Sequence, residues 1–176
     1  TAGLWWNGYK ADKIHKDGGD YMTALLKMKT YQPEEAIPIF EGFSSNNTPY
    51  GMLASLNIAG FKYFKKEYIE AQKWYSEVAD NSSNPNSFRD LAELMKVKAM
   101  IANNANTQNT IDALTKFTNK NAAFQYSALE LLAAAFFSKG DLANMEKTLN
   151  KIITDPSAPN TIKERAQQLV VLSAKE

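Results

Sequence analysis

Apolar residues recur along this chain at intervals of three and four, not two, so the pattern predicts helices and no strands. Clusters of Pro, Asn and Ser cut it into segments: Pro33, Asn46 to Pro49, Asn81 to Pro85, Asn103 to Thr107, and Pro156 to Pro159. The predicted helices run over 4–16, 19–31, 33–45, 49–64, 67–81, 86–103, 107–118, 121–138, 141–154 and 159–174. The first two count as one long helix interrupted at Gly18-Gly19, which leaves about nine. Pro33, Pro49 and Pro85 fall in first turns, where a missing N–H costs nothing. Pro38 sits further in and is expected to kink its helix.

Residues 127–157 hold the clearest unit. Small residues at Ala128 and Ala133 precede Phe136-Phe137, Gly140-Asp141 breaks the helix, and a second amphipathic run ends at Ile152-Ile153. A helix–turn–helix of about 34 residues is the outline of a tetratricopeptide unit, which buries its apolar face only by stacking on siblings. Matching second-helix patterns are Glu35-Ala36 with Phe40 and Phe43, Glu70-Ala71 with Tyr75 and Val78, and Met145 with Leu149 and Ile152. A degenerate third unit falls at 86–118, with Leu91, Ala92, Leu94, Met95 and Ala99 on one helix and Ile111, Leu114 and Phe117 on the next. Only the fourth unit keeps Gly-Asp at its turn; the second has Tyr63 to Tyr68 there, with no Gly. The last helix is apolar at Ile162, Ala166, Leu169 and Val170, and charged at Lys163, Glu164 and Arg165, as a polar-backed cap would be. The predicted fold is all-α: a tetratricopeptide-like right-handed α-solenoid of roughly four helix pairs plus a C-terminal capping helix. Residues 1–18 form an N-terminal, juxtamembrane helix, and 19–176 the repeat domain.

Composition narrows the function. At 176 residues and 44% hydrophobic content the chain supports one domain with an ordinary core. A net charge of +1 gives no electrostatic case for nucleic acid, and the cations are 18 Lys against Arg89 and Arg165 only. Without cysteine there is no disulfide, thiolate or Cys-ligated zinc. No stretch reaches the ~20 apolar residues of a membrane span. Thr1 stands where an initiator Met would, so the chain is read as a fragment or processed product. Its first residues, Ala2-Gly3-Leu4-Trp5-Trp6, suit either a membrane–water interface or a cap on the first helix pair.

Catalytic chemistry is not encoded. His15 is the only histidine and lies among charges; with Asp17 and Asp20 it matches no ligand spacing. Gly18-Gly19 follows a helix and lacks the Gly-Lys-Ser/Thr of a phosphate loop. Glu34-Glu35 suits the start of a helix. No convergent set of polar groups emerges, so the chain is read as a non-enzyme with no cofactor and no metal. First-helix residues that would face a concave groove are Asn57, Lys62, Tyr63, Arg89, Glu93, Lys96, Glu130 and Phe137. They are the candidate partner-binding residues.

Several short motifs occur in a particular order: Phe88-Arg89-Asp90-Leu91-Ala92, Ser127 to Ala133, Gly140-Asp141-Leu142, Asp155 to Pro159, then Arg165-Ala166. In this order, over about residues 20–174, the chain resembles the bacterial tetratricopeptide-like family of the ancillary SecYEG translocon subunit (YfgM-like proteins), closest to its alphaproteobacterial branch. Gly3-Leu4-Trp5-Trp6-x-x-Tyr9 resembles the stretch just after the membrane anchor in that family. The resemblance implies a single-pass inner-membrane protein, anchored by a segment outside this chain, with its repeats in the periplasm. Its partners would be translocon subunits, a membrane chaperone or exported clients. An alternative is a soluble or lipid-anchored tetratricopeptide adaptor for envelope or outer-membrane assembly. The client and the oligomeric state are open.

Overall fold

The computed structural model describes residues 2–105, 108–119 and 122–173, with side chains from Trp6 onward. The predicted helix starts at Thr107 and Asn121, the end at 174, and the side chains of Ala2 to Trp5 lie outside the described residues. Among those residues there are nine helices: α1 (Ala2–Lys29), α2 (Pro33–Ser44), α3 (Pro49–Phe64), α4 (Tyr68–Asp80), α5 (Asn86–Ala102), α6 (Gln108–Thr115), α7 (Gln125–Ser138), α8 (Leu142–Ile153) and α9 (Asn160–Ser173). The fold is all-α. The chain divides into two units, residues 1–96 and 97–176, with the division inside α5.

Gly18-Gly19 does not interrupt α1, which runs unbroken past both glycines. Each glycine costs a helix interior about 1 kcal/mol, too little to break 28 residues held by packing. Gly18 has a packing reason: a Cβ there would lie 3.0 Å from Cε2 of Tyr50, so the glycine lets α1 approach α3. Pro38 lies inside α2. Its missing N–H leaves the Glu34 carbonyl without an i+4 donor.

One turn ends α1, α3, α5 and α7. Its central residue is left-handed: Tyr31 (φ 59°), Lys66 (φ 63°), Asn104 (φ 56°) and Gly140 (φ 73°). The N–H of each donates three residues back, Tyr31 to Met28 at 3.2 Å, Lys66 to Tyr63 at 2.9 Å, Asn104 to Ile101 at 3.0 Å and Gly140 to Phe137 at 2.9 Å. The next N–H along donates five residues back, Gln32 to Lys27, Glu67 to Lys62, Ala105 to Met100 and Asp141 to Phe136, each at 2.9 Å. This bond pair is the Schellman motif, and it satisfies carbonyls that a helix end leaves open. The turn at Lys66, expected to differ for want of a Gly, is the same turn. A non-glycine residue bears about 1–2 kcal/mol there, which the flanking helices hold in place.

In the amino-terminal unit α1 packs on α2 and α3, and α3 on α4. Ala36, Phe40 and Phe43 join Ala24, Ala54 and Ile58 in one core, with Tyr21, Tyr50 and Trp74 against it. A buried carboxylate fastens this core. Asp17 is 1% exposed and accepts from Asn46 Nδ2 at 2.9 and 3.0 Å and from Thr48 Oγ1 at 2.7 Å. Thr48 is also the N-cap of α3, accepting from the Gly51 N–H at 3.1 Å. Gly51 is obligatory: a Cβ there would lie 2.2 Å from the Asn46 carbonyl oxygen. So α1 is fixed to the turn that starts α3.

In the carboxy-terminal unit α7 packs on α6 and α8, and α8 on α9. Leu129, Ala133, Met145, Leu149, Ile152 and Ala166 form its core. The apolar positions of the second-helix signatures are buried: Ala36, Phe40 and Phe43; Ala71, Tyr75 and Val78; Met145, Leu149 and Ile152. Phe117 is not on α6, which ends at Thr115. Tyr126 donates to Asp155 Oδ2 at 3.1 Å and ties the start of α7 to the α8–α9 loop.

Urea unfolding tests both devices. Lys66→Gly is expected to gain about 1 kcal/mol by relieving the left-handed turn; no gain would mean the turn holds no strain. Asp17→Ala is expected to lose about 2–4 kcal/mol, because Asn46 and Thr48 keep partly buried donors without an acceptor. A loss below about 1 kcal/mol would demote the fastener to an incidental contact.

Candidate partner-binding grooves

Each unit carries an open apolar groove among its described residues, with two odd-numbered helices as walls and the even-numbered helix between them in sequence completing it. In the amino-terminal unit the groove measures about 560 Å³. Met28 and Tyr31 come from the end of α1, Pro33 and Glu34 from the start of α2, and Leu56, Asn57, Gly60, Phe61 and Phe64 from α3. Phe64 is 81% exposed and Tyr31 92%. The turn geometry explains why: both side chains sit where a helix has just ended and no neighbouring residue covers them. In the carboxy-terminal unit the groove measures about 400 Å³. Ala133, Ala134 and Phe137 on α7 face Leu169, Leu172 and Ser173 on α9, over Met145 and Leu149 of α8.

The candidate residues fall into several environments. Asn57 lines the first groove; its Nδ2 donates to the Leu53 carbonyl at 2.8 Å and to the Tyr21 hydroxyl at 3.3 Å, which leaves Oδ1 as the open atom. Lys62 and Tyr63 point elsewhere on α3. Lys62 donates to Glu67 at 2.7 Å across the turn, and this bond raises its ammonium above the ordinary lysine value. Tyr63 packs edge-on against Tyr68, centroids 5.3 Å apart. Arg89 caps α4: its Nε donates to the Ala79 carbonyl at 2.9 Å. Glu93 and Lys96 pair with each other one turn apart on α5, and Lys96 also borders a shallow depression on α4 beside Ile69, Lys73 and Glu77.

In the carboxy-terminal unit Glu130 and Phe137 line the same groove. Glu130 takes a two-pronged bond from Arg165, Nε at 2.5 Å and Nη2 at 2.8 Å, which closes one end and raises the guanidinium further. Phe137 is 46% exposed. Of the eight candidates, Asn57, Glu130 and Phe137 line grooves and the other five do not.

The sequence reading missed Met28, Tyr31, Glu34 and Phe64 in the first groove. Phe64 sits in an aromatic run that reads as core; its signal was its place as the last helical residue before a turn. In the second groove it missed Leu169, assigned to the packed face of α9. The packed stripe is Ile162, Ala166 and Val170, four apart, and Leu169 faces the groove at 42% exposure.

Among the described residues no group of three or more His, Asp or Glu could hold a metal, and no helix is long and apolar enough to cross a membrane. Comparisons with protein-family models, with curated proteins and with solved structures find no match for this chain.

Two tyrosines of the amino-terminal unit give a pH test. Burial raises the Tyr63 and Tyr75 hydroxyls above the ordinary phenol value, and the nearness of Tyr68 to Tyr63, and of Tyr63 to Tyr75, adds to it. Below about pH 10 folded and unfolded chains both keep these protons, and the contribution is complete. As pH rises further the unfolded chain loses them first, so stability falls. Thermal melts from pH 8 to 11 are expected to show this fall, and Tyr75→Phe to flatten it; an unchanged slope in the variant would assign the fall to other groups.

Proposed function

We propose that this chain is a non-catalytic protein-binding scaffold: tetratricopeptide-like helix pairs that form the periplasmic part of a membrane-anchored adaptor at the secretion translocon. The observation that carries the binding role is the pair of open apolar grooves. Apolar lining left in water is costly unless a partner covers it, and contiguous exposed apolar surface is the usual mark of an interaction site. The repeat reading is supported by the four matching turns at residues 31, 66, 104 and 140, spaced close to the 34-residue period of that repeat.

The membrane placement draws on the sequence resemblance and on the start of α1. Trp6 and Tyr9 are each 60% exposed with rings 6.4 Å apart, and the Lys10 ammonium lies 5.3 Å from the centre of the Trp6 ring. Aromatic rings with a cation alongside suit the headgroup layer. The anchor itself would be a segment outside this chain. Partners would be translocon subunits, a membrane chaperone or exported chains, held through a few buried anchors and not through total area.

The test is photocrosslinking in membranes with the full-length protein. A photoreactive residue at Phe64 or Phe137 is expected to capture translocon subunits, a chaperone or exported chains, and one at Arg89 to capture far less. Capture of outer-membrane assembly factors would replace the translocon assignment. No difference between groove and Arg89 positions would remove the grooves as the binding surface.

A further inference from the structure

We propose that the amino-terminal groove takes an apolar peptide segment carrying a lysine or arginine, with that cation set against Glu34. The proposal rests on the protein-binding reading above and adds the chemistry of what is bound.

Glu34 is the one carboxylate of the lining, and no Lys, Arg or His lines the groove with it among the described residues. Its neighbour Glu35 is engaged by Lys27 at 2.5 Å, but Glu34 has no ion pair or side-chain hydrogen bond among the described residues. Its backbone carbonyl lacks an i+4 donor because position 38 is proline. Asn57 spends both N–H groups on Leu53 and Tyr21, so Oδ1 remains. At Glu34 and Asn57 the groove therefore offers acceptors, which an extended segment meets with a side-chain cation and a backbone N–H; the Tyr31 hydroxyl both donates and accepts.

The aromatic wall favours the same sign of charge. The Lys65 ammonium already lies 5.9 Å from the centre of the Phe61 ring, and the Phe64 ring stands 81% exposed beside it. Such ring faces attract cations and repel carboxylates. Two lysines at this end are paired with carboxylates, Lys27 with Glu35 and Lys62 with Glu67, while Lys65 lies over the Phe61 ring. A segment bringing a carboxylate to Glu34 would set two like charges together, which is how a site rejects the wrong occupant.

The experiment uses the full chain and labelled synthetic peptides sharing one Leu- and Phe-rich core, flanked by Lys, Ser or Glu, with binding read by fluorescence anisotropy. The Lys-flanked peptide is expected to bind about fivefold tighter than the Ser-flanked one, the size of a partly exposed ion pair, and the Glu-flanked peptide weakest. Glu34→Gln should erase the preference, so that the Lys- and Ser-flanked peptides bind with equal affinity. Phe64→Ala, at an exposed position that does not threaten folding, should weaken all three. Equal affinity for the three flanks, a preference for Glu, or a Lys preference that survives Glu34→Gln overturns the proposal and leaves the scaffold reading standing. So does binding lost in Phe137→Ala but not in Phe64→Ala, because it moves the site to the other groove. Failure of every peptide to bind, together with no groove-specific capture in membranes, overturns both.

Discussion

The amino-terminal unit depends on one buried carboxylate. Asp17 lies on a helix that otherwise meets its neighbours mainly through apolar side chains, with the Lys27–Glu35 pair and the Asn57–Tyr21 bond beside them, and apolar contacts hold position but not register. Three short bonds to Asn46 and Thr48 set that register. Thr48 passes the constraint on, because the same hydroxyl accepts the N–H that opens α3. Gly18 and Gly51 then let backbones come as close as those bonds require. The first groove inherits its width from this arrangement, since its walls are the ends of α1 and α3.

The carboxy-terminal unit reaches a similar result by different means. Tyr126 and Asp155 tie the start of α7 to the loop before α9, and the Glu130–Arg165 pair bridges the two walls of the groove. This second fastening is partly exposed. It contributes less to stability than the Asp17 cluster and is weakened by salt, whereas buried bonds are not. The two grooves differ accordingly. One has an unpaired carboxylate in its lining, and the other has its carboxylate already matched.

Much of this was legible in the sequence because the helices are bounded by strong local signals. Pro33, Pro49 and the Asp141 cap each start a helix where the pattern placed it, and the alanines at 36, 71 and 128 are buried as close-packing residues should be. Gly18-Gly19 misled because glycine read locally means a break. Its role at Gly18 is set by Tyr50, a neighbour 32 positions along the chain that no local rule detects. The site was harder to read. Lys62, Arg89, Glu93 and Lys96 are on helices as expected, but each is engaged by a neighbour that pattern alone cannot assign. Phe64 and Leu169 looked like core because apolar periodicity counts residues toward a face without saying where the neighbouring helix stops.

The turn shared by Tyr31, Lys66, Asn104 and Gly140 has a consequence for how such a chain changes over time. Four side chains of unrelated chemistry adopt one backbone shape, so the shape is imposed by the helices on either side and not by the residue at the bend. A substitution there costs about 1–2 kcal/mol at most, a loss a well-packed helix pair can absorb. The residue at such a bend can therefore change while the bend keeps its form.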